Sequence, residues 1–410
     1  MNLIFASLAT TLLVARALSR NSLTTAGILS AILTAIIHAL HPWNLPFVLL
    51  LTFYGLAMRA TRVKHEVKAK LTVSSSGGAG GEGARNHVQV LANSIVASVL
   101  ILVHCYQLGV ISSRGFAQRK DVCFHGDIVV IGIIANYAST LGDTLASELG
   151  ILSKTPPVMI TTLRKTPPGT NGGVTLLGVL AGGAGSAIIG LVSVLLFPYC
   201  PSSIDGSGIH LPEGGAHIPL GNNGNYCPAW GIKEKALFVA FVTVIGVSGN
   251  LLDSLLGAVF QKSVVDIRTQ KIVEAPNGVT VAPQFPKSHL LEANKHQVLV
   301  QPSSPHLSTR APIHSHLGQG PQSSAAAIPA SAIASESARR RNAVAAEKDD
   351  AMEHEQEHEH SRAVISGLRW GVLNNNEVNF AMAVSISMVA MIVWKMAGMA
   401  KCDSCSGVIG

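Results

Sequence analysis

Residues 126 to 142 read GDIVVIGIIANYASTLG, and the chain continues from residue 141 to residue 173 as LGDTLASELGILSKTPPVMITTLRKTPPGTNGG. The first stretch is apolar over about 17 residues, which is long enough for an α-helix to cross a hydrocarbon core of about 30 Å. The second stretch places acids, bases, prolines and glycines where that helix is expected to end. The chain therefore changes from lipid-facing to polar sequence within a few residues.

The composition of the whole chain is typical of a membrane protein. Of its 410 residues, 48% are hydrophobic and only 13% are charged, whereas about a quarter of the residues of an ordinary soluble protein are charged. Apolar stretches of spanning length occur at residues 2–18, 22–40, 43–59, 89–111, 126–142, 173–197, 235–257 and 378–398. We therefore predict an all-α, polytopic transmembrane helix bundle of about seven to eight spans.

The first apolar stretch has two interpretations. Ala15-Arg16-Ala17 imitates the cleavage site of a signal peptide, but the basic residues follow the apolar stretch instead of preceding it. We expect a retained helix. No hydrophilic leader precedes the stretch, and this favours the endomembrane system, the endoplasmic reticulum in particular, over a plastid.

Positive charge in the short loops predicts which side of the membrane each loop faces, because Lys and Arg tend to stay in cytoplasmic loops. The most basic loop follows the third stretch, and its cations are Arg59, Arg62, Lys64, Lys68, Lys70 and Arg85. If that loop is cytoplasmic, the 154–172 loop and the 258–377 segment share its side. Arg114, Arg119 and Lys120 then lie outside, against the rule. The net charge of +7 is mostly an orientation signal, and we expect no nucleic-acid partner.

The predicted domain organisation follows from shifts in composition. Residues 1–260 hold the first seven spans with an outer or lumenal insert at 201–228, and residues 261–297 form a cytoplasmic connector. Ser, Pro, Ala and His dominate much of 298–362, which predicts a disordered insert because such sequence buries too little apolar surface to offset its ordering entropy. Residues 363–410 hold the last span.

Three further features each have a bland and a functional interpretation. The tract EHEQEHEH at residues 353–360 has histidines four apart, which suit zinc on a helix, but it also suits a solvated acidic tract. Cys200 and Cys227 flank the outer insert, where a disulfide would persist. The lone CDSC at residues 402–405 is weak support for metal or redox chemistry.

Polar residues recur at the helix ends that are predicted to face the cytoplasm. The catalytic candidates are Asp143, Glu148, Asp253 and Lys165. The phosphate-binding candidates are Arg164, Lys165, Gly169, Thr170, Asn171, Gly172, Gly173, Arg85, Asn86, Asn375 and Asn376. A central charge in a span costs about 2.5 to 3.5 kcal/mol, and less near a helix end, so each such residue needs a partner or a function. Their position on one face predicts a single shared site.

These residue types suit the handling of phosphate. Asp143, Glu148 and Asp253 supply the hard oxygen ligands that Mg²⁺ prefers, with substrate phosphates completing the coordination. Prolines and glycines up to residue 173 allow the backbone to approach an anion near the start of the sixth helix. The run differs from the P-loop pattern GxxxxGK(S/T). The glycines also suit tight helix packing, and the two acids of the fifth span also suit an interfacial cap and a snorkelling side chain.

Six blocks resemble the successive blocks of the transmembrane protein nineteen family. They are NSLTTAG at 21–27, RNHVQVLAN at 85–93, GDTLASELG at 142–150, ITTLRKTPPGTNGGVT at 160–175, GNLLDSLLGA at 249–258 and LNNNEVNF at 373–380. This family of integral membrane proteins includes the plant phytyl-phosphate kinase of tocopherol synthesis. The blocks occur in family order, while the 201–228 and 298–362 segments supply none of them.

The resemblance implies Mg²⁺-dependent transfer of a phosphoryl group from a nucleoside triphosphate to a prenyl monophosphate. Such transfer asks a protein mainly for positioning and charge stabilisation. In that case Asp143, Glu148 or Asp253 would hold Mg²⁺, and Arg164 and Lys165 would offset phosphate charge. The lipid tail would lie between helices, so the expected partners are a lipid substrate, the membrane and a nucleotide.

Two other classes of function also fit the sequence. In a transporter or channel, the three carboxylates would form an ion path and the GTNGG region would be a discontinuous helix. The depth of the carboxylates in the membrane distinguishes a kinase from a transporter, since catalytic carboxylates should cluster at one interface and transport residues should reach the midplane. A scaffold would recruit partners through residues 298–362, and deletion of that segment would abolish its function.

Overall fold

The computed structural model describes a large part of the chain. The described residues are 3–74, 78–79, 84–112, 115–116, 124, 126–199, 218–219, 226–227, 230–266, 269–274, 362–366 and 372–398. The contacts divide the chain into one unit of Met1–Ala282 and Val364–Gly410 and a second unit of Pro283–Ala363. Apart from Arg362 and Ala363, every described residue belongs to the first unit.

Several sequence predictions fall outside the described residues. They concern nearly all of the insert 298–362, the EHEQEHEH tract, most of the insert 201–228, Cys200 and the CDSC at 402–405. These stay predictions.

The described residues contain nine helices. They are Leu3–Ser19 (α1), Thr25–Leu40 (α2), Leu45–Arg62 (α3), His65–Ala69 (α4), His87–Gln107 (α5), Ile128–Gly150 (α6), Leu176–Leu196 (α7), Ile232–Phe260 (α8) and Asn375–Met396 (α9). Helices α5 to α9 are long and apolar enough to cross a membrane, and α1 and α2 are shorter apolar helices. The prediction of a polytopic helical membrane protein is thus confirmed.

Short strands accompany the helices. They are Thr72–Ser74 (β1), Gly78–Ala79 (β2), Ile111–Ser112 (β3), Gly115–Phe116 (β4), Val158–Met159 (β5), Gly173–Val174 (β6), Ile218–Pro219 (β7), Tyr226–Cys227 (β8), Ser263–Asp266 (β9), Ile272–Glu274 (β10) and Arg362–Ser366 (β11). Five of them form a sheet in the order β11-β9-β10-β1-β2, in which β1 runs parallel to β10. Strands of two to five residues carry too little alternation to be predicted from sequence.

Helix α6 is the centre of the bundle. It contacts α3, α5, α7, α8 and α9. Over its spanning window 78% of the residues are buried, against 33% to 39% for the other four long helices. Because its neighbours cover it, α6 can carry the polar residues Asn136, Ser139 and Thr140, all of which are buried. Lipid-exposed polar groups would be much more costly.

Small residues bring α6, α7 and α8 close together. The Ser186 hydroxyl of α7 donates a hydrogen bond to the Ala138 carbonyl of α6 at 2.9 Å. A Cβ atom added to Gly246 of α8 would overlap Ser186 Oγ and would lie only 2.9 Å from the Ala138 carbonyl oxygen. Three helix backbones therefore meet at a point where one of them can carry no side chain, as is common between membrane helices.

Buried histidines join α2, α5 and α6 near the C-terminal end of α2. His38 Nε2 lies 2.5 Å from the Tyr137 hydroxyl of α6, and His41 Nε2 lies 2.8 Å from His104 Nδ1 of α5. His38 Nδ1 also bonds the Thr34 carbonyl at 2.7 Å. Polar contacts of this kind between buried side chains fix which helix faces pack together.

The close contact at Gly246 predicts different effects on stability for two glycine-to-alanine substitutions. Gly246→Ala should destabilise the protein by about 1–3 kcal/mol, because the added methyl group overpacks the three-helix contact. Gly183→Ala is the matched control, since its Cβ would meet only Val247 Cγ2 at an ordinary 3.5 Å. Thermal unfolding in detergent measures both variants. Equal melting temperatures for the two would show that the close contact is not needed.

Candidate functional site

A cavity of about 520 Å³ opens among the helix ends and loops at one end of the bundle. Of the sequence-predicted site residues, its lining contains Arg85, Asp143, Glu148, Gly169, Thr170, Asn171, Gly172, Gly173, Asp253, Asn375 and Asn376. Asn86, Arg164 and Lys165 are outside the lining. The structure therefore brings five separate sequence blocks to one cavity.

Two carboxylates form the centre of the polar part of this cavity. Asp143 of α6 and Asp253 of α8 both line the cavity, and their side chains lie close enough to interact. With its amide nitrogen turned toward the acceptors, Asn379 of α9 donates to Asp253 Oδ1 at 3.0 Å and to the Asn375 carbonyl at 3.1 Å. Asn250, almost one turn before Asp253, also lines the cavity. Two like charges this close repel strongly unless a proton or a cation lies between them.

Glu148 occupies a different environment. Its Oε2 lies 2.5 Å from Lys68 Nζ, and its Oε1 accepts a hydrogen bond from the Thr61 hydroxyl at 2.9 Å. Arg85 Nη2 lies 3.9 Å from the same Oε1. Lys68 Nζ also donates to the Ala60 carbonyl at 3.0 Å. Glu148 is thus surrounded by donors, and among the described residues no group of three or more His, Cys, Asp or Glu side chains is arranged to hold a metal.

The glycine run forms a loop packed on the end of α8. Gly172 has a φ of +79°, and an added Cβ would lie 2.8 Å from the Ser254 carbonyl oxygen, so only glycine fits there. The Asn171 amide donates to Ser263 Oγ at 2.9 Å, and the Gly173 amide donates to the Thr170 carbonyl at 2.9 Å. Because β6 follows the loop, α7 begins only at Leu176. The loop therefore precedes the helix instead of opening it.

The three predicted site residues outside the lining have other contacts. Arg164 and Lys165 are exposed, and their backbone pairs with β5. Asn86 caps α5. Its side-chain oxygen accepts a hydrogen bond from the backbone N–H of Gln89 at 3.0 Å, and Gln89 Oε1 accepts one from the backbone N–H of Asn86 at 3.1 Å. Their predicted roles toward phosphate stay predictions.

The polar residues of the lining that sequence reasoning missed include Lys68, Gln89, Asn93 and Asn379. A signal for three of these four was present, since Gln89 and Asn93 recur at helical spacing within an apolar span and Asn379 follows Asn375 by four residues. Lys68 was counted only as an orientation charge, although it is buried in the structure.

The cavity continues from the polar end into an apolar arm between α1, α2 and α3. The apolar side chains that line the arm are Leu13, Val14 and Ala17 of α1, Ile28, Ala31, Ile32 and Ala35 of α2, and Leu50, Leu51 and Phe53 of α3. Ligand sites are commonly apolar clefts with a few placed polar groups. This cavity is polar at one end and apolar along its arm, which suits an amphipathic ligand.

The ion pair predicts a measurable stability effect. Glu148→Gln should lower the free energy of unfolding by about 2 kcal/mol, because the buried Lys68 ammonium loses its charged acceptor. The exposed Glu66→Gln is the matched control and should change stability by at most about 0.5 kcal/mol. Thermal unfolding in detergent compares the two. If Glu148→Gln is as stable as the control, the ion pair does not hold α6 to α4.

Comparison with known proteins places this arrangement in a family. Protein PGR of Arabidopsis thaliana is 33% identical over 285 residues, covering 68% of this chain and 85% of the relative. An uncharacterized membrane protein of Methanocaldococcus jannaschii is 30% identical over 215 residues, covering 52% of this chain and 65% of the relative. The protein named VTE6, chloroplastic, of Arabidopsis thaliana is 25% identical over 155 residues, covering 38% of this chain and 42% of the relative. No solved structure matches the chain.

These comparisons support a multi-pass membrane protein and give no support for the expected location in the endoplasmic reticulum, since one relative is named as chloroplastic. The family model described as "Integral membrane protein DUF92" matches residues 8–387, which is nearly the whole chain. The name of the transmembrane protein nineteen family is not part of this family's description. The chain belongs to the DUF92 family of integral membrane proteins.

Proposed function

We propose that this protein transfers a phosphoryl group from a nucleoside triphosphate to a prenyl monophosphate, with Mg²⁺ as cofactor. The observation that carries the proposal is the single cavity in which the Asp143–Asp253 pair lies at one end and an apolar arm extends from it. An acceptor oxygen would attack the γ-phosphorus, and the bond from that phosphorus to the departing nucleoside diphosphate would break. The products are a prenyl diphosphate and a nucleoside diphosphate.

The donor set at the carboxylate pair fits Mg²⁺. Mg²⁺ takes oxygen ligands, usually one or two carboxylates together with substrate phosphates and water. Asp143 and Asp253 supply two neighbouring carboxylates, and Asn250 adds an amide to the same lining. Asp143 and Asp253 would hold the metal, and the bound metal would supply positive charge against the charge that develops on the phosphates. Asn379 would keep Asp253 oriented through its 3.0 Å hydrogen bond.

Cations and helix ends supply further favourable charge. Lys68 and Arg85 line the cavity, while Lys165 does not, so the two former residues are better placed to offset phosphate charge. Helix α2 begins beside Arg85, since the Thr24 amide donates to the Arg85 carbonyl at 2.9 Å. Residues in the first turns of α2, α5, α7 and α9 all line the cavity, and the positive ends of helix dipoles favour anions.

The depth of the carboxylates bears on the alternative of ion transport. Asp143 and Asp253 each lie seven residues before the end of their helices, or about 10 Å at the helical rise of about 1.5 Å per residue. Along the fully described α6, the lining includes Asp143 and residues beyond it but none of the buried polar residues before it. A polar path that stops at the carboxylates supports a one-sided site over an ion path across the bundle.

The comparisons add modest support. The family blocks that resemble the group containing plant phytyl-phosphate kinase include GDTLASELG, ITTLRKTPPGTNGG and GNLLDSLLGA, and these supply Asp143, the glycine loop and Asp253. The relative named VTE6 matches over 38% of this chain.

Direct assay tests the proposal. The full chain in nanodiscs, given γ-labelled nucleoside triphosphate, Mg²⁺ and a twenty-carbon prenyl monophosphate, should form labelled prenyl diphosphate. Asp143→Asn and Asp253→Asn should each reduce turnover by about 100-fold or more, because an amide keeps the shape but loses the charge. Glu234→Gln, exposed at the opposite end of α8, is the control.

Thermal unfolding of the same samples separates catalysis from folding. Both Asn variants should unfold near the wild-type temperature, since neutralising one of two facing carboxylates relieves repulsion. Full turnover in both would end this assignment of the acids. Absence of product from the wild type, together with cation flux through proteoliposomes, would favour transport instead.

A further inference from the structure

The apolar arm has a defined depth, because the directions of its helices are fixed by contacts at the polar end. Helix α2 begins there at Thr24, which is bonded to Arg85. Helix α3 runs toward the same end, where Thr61 is bonded to Glu148. Ala35 lies eleven residues beyond Thr24, and Leu50 lies eleven residues before Thr61. Each is thus about 16 Å from the polar end at about 1.5 Å per residue.

Below this level the space between the helices is filled. Ala35 packs with Phe47 of α3 and Ala6 of α1 in a buried cluster that is separate from the main core, and Leu50 packs against it. Phe47 is completely buried, and its ring lies 6.3 Å from the ring of Phe5. The arm therefore has a closed floor, about half-way across a hydrocarbon core of about 30 Å.

The two lining residues at the floor differ in the size of their side chains. Ala35 carries only a methyl group, and both Ala35 and Leu50 line the cavity. A larger side chain at residue 35 would raise the floor, whereas a smaller one at residue 50 would lower it. Interiors are close-packed, so a tail that reaches the floor has no other room to occupy.

We propose that this floor selects the chain length of the prenyl acceptor, with Ala35 and Leu50 as the specificity-determining residues. The inference rests on the proposed function. The depth of the arm limits the length of the tail only if the phosphate of the same molecule is anchored at the carboxylate pair. The occupant is the isoprenoid tail because the arm belongs to the same cavity as the polar end and is walled mainly by aliphatic and aromatic side chains, with the hydroxyl groups of Thr10, Thr34 and Tyr54 among them.

Three variants test the floor. The ratio of kcat/KM for prenyl monophosphates of twenty and ten carbons is measured for each in nanodiscs. Ala35→Phe should lower the ratio by about tenfold or more, since filling a pocket by several carbons changes discrimination by that order, while ten-carbon turnover is retained. Leu50→Ala should raise the ratio. Ile36→Phe is the matched control, because Ile36 is the next residue on α2 and is 52% exposed on the outer face.

The outcomes separate the two proposals. An unchanged ratio in Ala35→Phe with ten-carbon turnover retained overturns the floor assignment. If Ala35→Phe fails to fold, the ratio in Leu50→Ala decides in the same way. If the wild type turns over no prenyl monophosphate, a twenty-carbon prenyl monophosphate with a photoreactive tail end is cross-linked instead. Labelling of α2 or α3 peptides at the floor then supports tail binding while the kinase proposal fails, and labelling elsewhere overturns the floor as well.

Discussion

Helix α6 carries a carboxylate into a membrane bundle, and the rest of the structure depends on the close packing that makes this tolerable. A charge facing lipid is expensive and an unpaired one in a protein interior is hardly cheaper. Ser186, Gly246 and the Ala138 carbonyl bring α6, α7 and α8 together. Because α8 can come this close, Asp253, seven residues after Gly246, meets Asp143, five residues after Ala138. The same contact that shields α6 therefore creates the paired acids.

The paired acids divide the cavity into two chemical regions. Around them lie amides, the glycine loop and the cations Lys68, Arg85 and Lys262, and away from them the walls formed by α1, α2 and α3 are mostly apolar. Helix ends from both halves of the chain meet there, and Gly169 lies against Thr72, so the loops after α3 and after α6 share one end of the bundle. A ligand with a charged head and a long tail matches this division better than a soluble metabolite or a bare ion.

Much of the fold could be predicted from the sequence, because hydropathy fixes where membrane helices occur. The candidate site was partly predictable. Asp143, Asp253 and the 169–173 loop were named from the residue types alone and do line one cavity. Glu148 could not be separated from them by sequence, since its partner Lys68 is distant along the chain and was taken for a surface charge. Lys165 is exposed and Lys68 is buried, but the sequence does not show this difference, because the burial of Lys68 depends on a partner that is distant along the chain.

A structure of the full chain in nanodiscs with a twenty-carbon prenyl monophosphate and Mg²⁺, determined by electron cryomicroscopy, tests the central claim most directly. We expect the phosphate beside Asp143 and Asp253 and the tail between α1, α2 and α3, ending near Ala35. Phosphate at that site without the tail in the arm would contradict the floor alone. A lipid bound only on the outer surface, with the two carboxylates facing different spaces, would contradict the whole account.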